Sequence, residues 1–522
     1  MPARLKPARI EHVVDGHRLR AQLSAIHAAE GENARASVKT LLHGALFRGR
    51  MIAKERLEAG EHGLAVARLL AKVADEVVSA LYDYTTVHLF RARNPTEGER
   101  FTVMAVGGYG RGELAPSSDL DLLFLRAYKP TPFSESVTEY MLYMLWDMGL
   151  KVGHSSRNVE ESLKLAREDH TIETALLETR RIAGDDSLAQ ELETRFRKEV
   201  AQKNHAAFIA AKLKERDERH HRVGASRYMG EPNIKEGKGG LRDLHTLFWL
   251  ARHRYGFVRP QDYVDAGVFT EAERQAFRRA LHFLWTARCH LHFLTARAEE
   301  RLTFDVQPEM AKRMGYHARG NQTDVERFMK RYFLIAREVG VLTRVLCAKL
   351  EADNAKRAPK GLQRLADSFA RKSAPETPGF VIEGGRLTIE TPDVLKKPSN
   401  VLRLFEIAER RDLDIHPHAL GEASRRVRSI TPDWRKDHAA REAFLGVITS
   451  KRHPAAALRL MNEAGVLGKF VPEFGRIVAQ MQFNMYHHYT VDEHTLQAIG
   501  AMSEIERGVH KDRHPLATEI FP

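Results

Sequence analysis

Cysteine is nearly absent from this sequence: Cys289 and Cys347 are the only two among 522 residues, each set in an apolar helical pattern. That excludes a disulfide framework and a thiolate metal site and fits a reducing compartment, with both thiols expected to be buried and structural. Long hydrophobic runs are missing as well. No stretch reaches the about 18 apolar residues that a spanning helix needs. The N-terminus, MPARLKPARIEHVVDGHRL, carries basic residues with no apolar core after them, unlike a secretion signal. The protein therefore reads as cytoplasmic, with no membrane partner. Internal repeats, heptad runs and low-complexity tracts are also lacking, which excludes solenoids and coiled coils.

What is present is a large, ordinary globular composition. The length argues for roughly three or four domains. Charge is unbalanced, with 82 Lys and Arg against 69 Asp and Glu, a net of +13. Such a surplus suits acidic partners such as nucleotide phosphates, nucleic acid or an acidic protein; equally, it fits basic residues spread over solvated helix faces.

Residues 17–95 read as helical, and AVARLLAKVADEVVSALYDYTTVHLF (65–90) has apolar residues at three- and four-residue spacing. The period then changes. FTVMAVGGYG (101–110) is a short β-rich run ending on glycines, LDLLFLRA (120–127) a second buried strand, and SVTEYMLYMLWDMGL (136–150) a helix. KVGHSSR (151–157) reads as a third strand, followed by another long helix. Strands interleaved with helices predict a compact α/β domain over 60–185, after an N-terminal helical extension at 1–60. A helical domain is expected over 186–350, then a connector at 351–400. Within the connector, FVIEGGRLTIE (380–390) should be a hairpin turning on Gly384-Gly385. A helical linker region (401–480) and a last segment (481–522) follow, so the whole is mainly α-helical around one α/β domain.

Chemistry is concentrated in VMAVGGYGRGELAPSSDLDLLFL (103–125). An apolar strand runs into Gly107-Gly108, where missing side chains let backbone N–H groups approach a phosphate. Arg111 follows as a partner for phosphate oxygens, and Ser118 is grouped with these as nucleotide-binding. Then Asp119-Leu120-Asp121 opens the next strand. Residues two apart on a strand share a face, so Asp119 and Asp121 project together while Leu120 and Leu122 enter the core. Two adjacent carboxylates repel unless a cation relieves them. Mg²⁺ (or Mn²⁺), held by one or two carboxylates plus substrate phosphates, fits that requirement. A bare Asp-x-Asp is more often a solvated strand end, and a lone glycine-rich run is equally weak. The ordered combination of strand, Gly-Gly, a gap of ten residues and Asp-Leu-Asp at another strand is far more specific.

This segment resembles the nucleotidyltransferase superfamily that includes DNA polymerase β. GGYGRGEL with SDLDLL is closer still to the bacterial bifunctional PII uridylyltransferase/uridylyl-removing enzymes of nitrogen sensing. The resemblance implies a polymerase-β-like α/β domain, nucleotide held by Gly107 and Gly108, and a catalytic metal on Asp119 and Asp121. It also implies UTP and the PII signal protein as substrates, with no nucleic acid as partner. Many superfamily members carry a third carboxylate on the next strand. KVGHSSR contains none; His154 stands at roughly that place, and Asp169, Glu173 and Glu178 lie beyond it on a predicted helix.

PNIKEGKGGLRDLHTLFWLARHRYG (232–256) is the second informative stretch. Lys235, Lys238 and Arg242 flank glycines at 237, 239 and 240. The residues fit an anion-binding turn and a plain helix-start loop equally well. The segment is similar to a signature of the same family, as are ERLTFDVQPEMAKRMGY and VERFMKRYF, so the likeness runs from about 60 to 500. By it, Lys238 and Arg242 are taken as nucleotide-binding candidates.

FNMYHHYTVDEHTLQAIGAM (483–502) gathers His487, His488 and His494 at a spacing that fits no zinc helix. In the family, YTVDEHT opens an HD-type phosphohydrolase domain, with His494 as its first metal ligand. No His-Asp dipeptide occurs in this sequence, so the removing site is expected to be incomplete and the protein truncated on its C-terminal side. The resemblance implies glutamine as effector, with the family's glutamine-sensing domains expected to be missing here. Two other functions share the aspartate pair: a template-independent RNA nucleotidyltransferase and a non-catalytic nucleotide-sensing scaffold. The first should show a basic groove interleaved with aromatics, and none is evident.

Overall fold

The computed structural model describes residues 13–91, 96–223, 227–355, 377–483 and 489–520. Two compact units emerge from the chain. One gathers the described residues of Met1–Arg219, His245–Val258 and Leu281–Arg301; the other those of His220–Leu244, Arg259–Ala280 and Leu302–Pro522.

The first unit begins with α1 (Gly16–Glu30), α2 (Arg35–Glu58) and α3 (Gly63–Tyr84). Helix α3 is the amphipathic run seen in the sequence, and it starts where His62 Nδ1 accepts the Ala65 N–H. β1 (Phe101–Ala105), a helical turn α4 (Gly107–Gly110), β2 (Leu120–Arg126), α5 (Pro132–Asp147) and β3 (Val152–Asn158) come next. Thr131 caps α5 reciprocally with Ser134, and Pro132 sits in its first turn. Two short helices, α6 (Val159–Glu168) and α7 (His170–Leu177), precede β4 (Arg180–Gly184) and α8 (Asp186–Phe196).

The sheet order is β3-β2-β1-β4. β1 pairs antiparallel with β2 and β4, and β2 pairs parallel with β3. A parallel neighbour demands a crossover connection, which α5 supplies. β4 goes unread in the sequence: RRIAG is short, arginine-rich and lacks clean alternation, and only its pairing to β1 makes it a strand.

One face of β1 and β2 (Val103, Ala105, Leu120, Leu122, Phe124) belongs to a core that also takes Val77 and Leu81 of α3 and Met141 of α5. Val38, Leu42 and Ala45 of α2 are in the same core. Helices α1 and α2, within the stretch read from sequence as an N-terminal extension, thus share this core. Beyond β4 the chain is helical again: α9 (His205–Val223), α10 (Leu241–Tyr255), the turn α11 (Asp262–Asp265) and α12 (Glu271–Thr295).

The second unit adds α13 (Gln307–Arg313) and α14 (Asp324–Ala355), then the hairpin of β5 (Phe380–Glu383) and β6 (Arg386–Ile389). Gly384 and Gly385 both have positive φ, 57° and 77°, the backbone a two-residue hairpin turn requires. Helices Pro398–Arg411, Pro417–Arg426, His438–Ile448, Pro454–Ala464 and Val491–Glu506 follow, around a core including Phe405, Leu420, Met461 and Leu496. Among the described residues no helix is long and apolar enough to cross a membrane. Both cysteines are buried thiols, and burial pushes the Cys289 thiol up to about 12.

Candidate active site

Asp119 stands immediately before β2 and Asp121 is its second residue. Both side chains are exposed, whereas Leu120 and Leu122 are 4% and 1% exposed. The strand period accounts for this split at the start of β2; further along, Leu123 and Leu125 on the Asp121 face are buried too, so the exposure is confined to the strand's first residues.

Glycines clear the space around Asp121. In the parallel register Asp121 lies beside Gly153 of β3, and a Cβ at Gly153 would stand 2.4 Å from Asp121 Oδ1. Any side chain there would collide with the carboxylate. On the other flank, a Cβ at Gly107 would lie 3.5 Å from Asp121 Oδ2, and Gly107 has φ +59°. The glycine turn is therefore the start of α4. Its first helical bond runs from the Gly110 N–H to the Val106 carbonyl, so the amides of Gly107 and Gly108 precede any helical partner. Gly153 escaped the sequence reading, although a glycine inside a strand is a signal of close approach.

Arg111 is engaged within the protein. Its Nη1 donates to both Glu178 oxygens at 2.6 and 2.7 Å, its Nε to Glu113 at 3.1 Å, and Nη2 lies 3.4 Å from His245 Nε2. The Glu178 side chain is 0% exposed. Burial works against the charge on Arg111, but Glu178 and Glu113 outweigh it and hold the guanidinium ionised above its ordinary range. Burial raises the Glu178 carboxyl, against the pull of Arg111. Arg111 thus braces the glycine turn against α7 and α10, where the sequence had suggested a phosphate partner. Ser118 Oγ accepts the Ala115 N–H at 3.1 Å and so shapes the loop before Asp119.

The candidates for a third carboxylate have other roles. Asp169 caps α7 through the Thr171 N–H. Glu173, fully buried, lies 2.7 Å from His170 Nδ1 and 2.8 Å from His253 Nε2. Glu178 holds Arg111. His154 is in register with Leu122, which puts it on the opposite sheet face from Asp121, against Trp146. Among the described residues no cluster of three His, Cys, Asp or Glu side chains could hold a metal ion.

In the second unit, the glycine-rich loop satisfies its own amides. Gly237 and Gly240 donate to the carbonyls of Asn233 and Gly237, and Gly239 donates to Asp243 Oδ2 at 2.8 Å. Asp243 in turn meets His220 Nε2 at 2.9 Å. This is the helix-start arrangement of the two that the sequence left open. Lys238 lies 4.0 Å from Glu463, and Arg242 donates to Glu236 at 3.0 Å. His494 is exposed near the start of helix Val491–Glu506, behind the inward-facing Asp492 and Glu493. His487 and His488 lie outside the described residues.

Known proteins resemble this one throughout its length. A family model described as "GlnD PII-uridylyltransferase" matches residues 207–347, and "Uridylyltransferase GlnD third domain" matches 380–470. The bifunctional uridylyltransferase/uridylyl-removing enzyme of Phenylobacterium zucineum (strain HLK1) is 59% identical over 526 residues, covering 100% of this chain and 56% of that protein. Proteins of the same name from two strains of Caulobacter vibrioides are 58% identical over 528 residues, with the same coverage. The chain spans about half the length of the curated relatives it matches. At 58–59% identity over the whole of its length, and with the paired aspartates and their glycines in place, the chain is similar to the bifunctional uridylyltransferase/uridylyl-removing enzymes.

Proposed function

We propose that this protein transfers a uridylyl group from UTP to a tyrosine hydroxyl of a PII-type signal protein. The tyrosyl oxygen forms a bond to the α-phosphorus, the bond from that phosphorus to the bridging oxygen breaks, and pyrophosphate leaves. The tyrosyl proton passes to water. The observation that carries the reading is the exposure of Asp119 and Asp121 at the start of β2, with Asp121 between Gly107 and Gly153. Similarity to the bifunctional uridylyltransferase/uridylyl-removing enzymes supports uridylyl transfer as the reaction, and the four-stranded mixed sheet behind a glycine turn supports a polymerase-β-like fold. UTP as substrate puts the reaction in the cytoplasm.

Two exposed carboxylates at the start of a strand suit a hard divalent cation such as Mg²⁺ or Mn²⁺. Asp119 and Asp121 would hold it, the remaining positions falling to water and substrate phosphates. When bound, the ion supplies neutralisation of the charge that develops on the phosphates. The protein's own part is positional. Gly107 and Gly108 let phosphate oxygens approach main-chain N–H groups. The Arg111–Glu178 brace keeps that turn in place relative to β2, and Ser118 fixes the approach of Asp119. His494 would serve as one ligand for the removing activity of the family.

The test is transfer of label from each of the four nucleoside triphosphates to purified PII protein, with Mg²⁺ or Mn²⁺. Label from UTP alone is expected. Asp119→Asn combined with Asp121→Asn should abolish transfer while leaving the circular dichroism spectrum and melting unchanged. Undiminished transfer by the folded double variant would overturn the mechanism.

A further inference from the structure

Arg50 lies on α2, in the stretch that the sequence had set apart from the α/β domain. The packed stripe of that helix is Val38, Leu42, Ala45, Gly49, Ala53 and Leu57. Gly49 allows the closest contact: a Cβ there would meet Val73 Cγ1 at 2.5 Å. That close approach seats α2 directly on α3. Arg50, next in sequence, stands at the margin of the stripe and is half-buried.

Its guanidinium reaches the loop that delivers the aspartate pair. Arg50 Nη2 donates to Ser117 Oγ at 3.3 Å, two residues before Asp119. Among the described residues it makes no ion pair, unlike Arg111, which is enclosed by two carboxylates. Burial alone acts on its charge and lowers its pKa. A half-buried guanidinium with one long hydrogen bond and no counter-ion keeps most of its donors for something else. A partly desolvated cation without an anion is costly, and a protein that keeps one beside a nucleotide site gains by pairing it with phosphate.

We propose that Arg50 is a further phosphate-binding residue of the transfer site, holding the terminal phosphates of the nucleoside triphosphate that become the pyrophosphate leaving group. This rests on the transfer reading above. The planar fork of arginine suits two phosphate oxygens at once. The negative charge that grows on the bridging oxygen as its bond to the α-phosphorus breaks would then fall next to a fixed cation.

The experiment measures binding of UTP and UMP separately, by calorimetry in the presence of Mg²⁺, for the wild-type protein and for Arg50→Ala, Arg50→Gln and Ser117→Ala. Losing a charged hydrogen-bonding partner should weaken UTP binding by roughly tenfold or more. UMP, which lacks the terminal phosphates, should bind all four proteins alike. Ser117→Ala, which removes only the hydrogen bond to the loop, should keep wild-type UTP affinity. Equal UTP affinity in wild type and Arg50→Gln would overturn the assignment. So would a parallel loss for UMP, or a Ser117→Ala defect equal to that of Arg50→Ala, because either outcome makes Arg50 a loop strut. Failure of the wild-type protein to bind any nucleotide would instead sink the transfer reading and this assignment with it.

Discussion

Gly153 and Asp121 are cross-strand neighbours, and the missing side chain of the first is what makes room for the carboxylate of the second. A methyl group placed 2.4 Å from Oδ1 has to displace the carboxylate, since the backbone of β3 is pinned by its ladder to β2. Gly153 does not have positive φ, so alanine can adopt its backbone without strain. Gly153→Ala is therefore expected to melt near the wild-type temperature yet lose transfer. The loss should be about tenfold to about a hundredfold, the scale of a misplaced reacting group. Steady-state transfer rates beside a thermal melt decide the matter; wild-type turnover in the variant would show that Asp121 tolerates the shift.

A different signature is expected from the Arg111–Glu178 pair. Removing Glu178 leaves a buried guanidinium with Glu113 as its remaining carboxylate. Breaking a buried pair from one side costs about 3–5 kcal/mol. Glu178→Ala should thus shift the urea transition of the first unit by an amount of that order and reduce transfer only as the fold weakens. A variant with an unchanged midpoint and a large rise in KM for UTP would restore Arg111 as a direct phosphate ligand.

The second unit should respond to acid through Glu463. Burial alone would raise this carboxyl, but Arg227, Arg344 and Lys238 outweigh it and hold it at about 2. A carboxylate depressed in the folded state contributes stability above its unfolded value near 4.5, and that stability is lost as pH falls toward about 2. The contribution is about 3 kcal/mol at neutral pH. Glu463→Gln should be clearly less stable than wild type at neutral pH, with the gap closing as pH falls through that window. Denaturant titrations at neutral pH and at about pH 3 provide the comparison; a gap independent of pH would mean that Glu463 is not ionised in the cluster.

Much of the candidate site was legible without coordinates because it is local. The alternation of Asp119, Leu120, Asp121 and Leu122 between two faces follows from the period of a strand, and the Gly384-Gly385 hairpin from the backbone that two adjacent glycines permit. The start of α4 at Gly107-Gly108, ahead of any helical bond, is equally a property of a few consecutive residues. The family likeness rests on those same short words. By itself the sequence determined the adjacent pair of carboxylates, the glycine turn that precedes them and the mainly helical chain around one small α/β domain.

Tertiary structure decided which partners each charged side chain meets. Arg111 reads from sequence as a phosphate partner, and Arg50 carries no reading at all. One is enclosed by Glu113 and Glu178; the other has no counter-ion among the described residues. Glu173, Asp169 and His154 looked interchangeable as a missing third partner. Long-range pairing with His253, capping of α7 and strand register assign them elsewhere. Apart from the local cap made by Asp169, the reason is physical: ion pairs and cross-strand neighbours join residues tens of positions apart, and no local period encodes which of them meet. The room that Gly153 leaves beside Asp121 is of the same kind, a space defined by two strands at once.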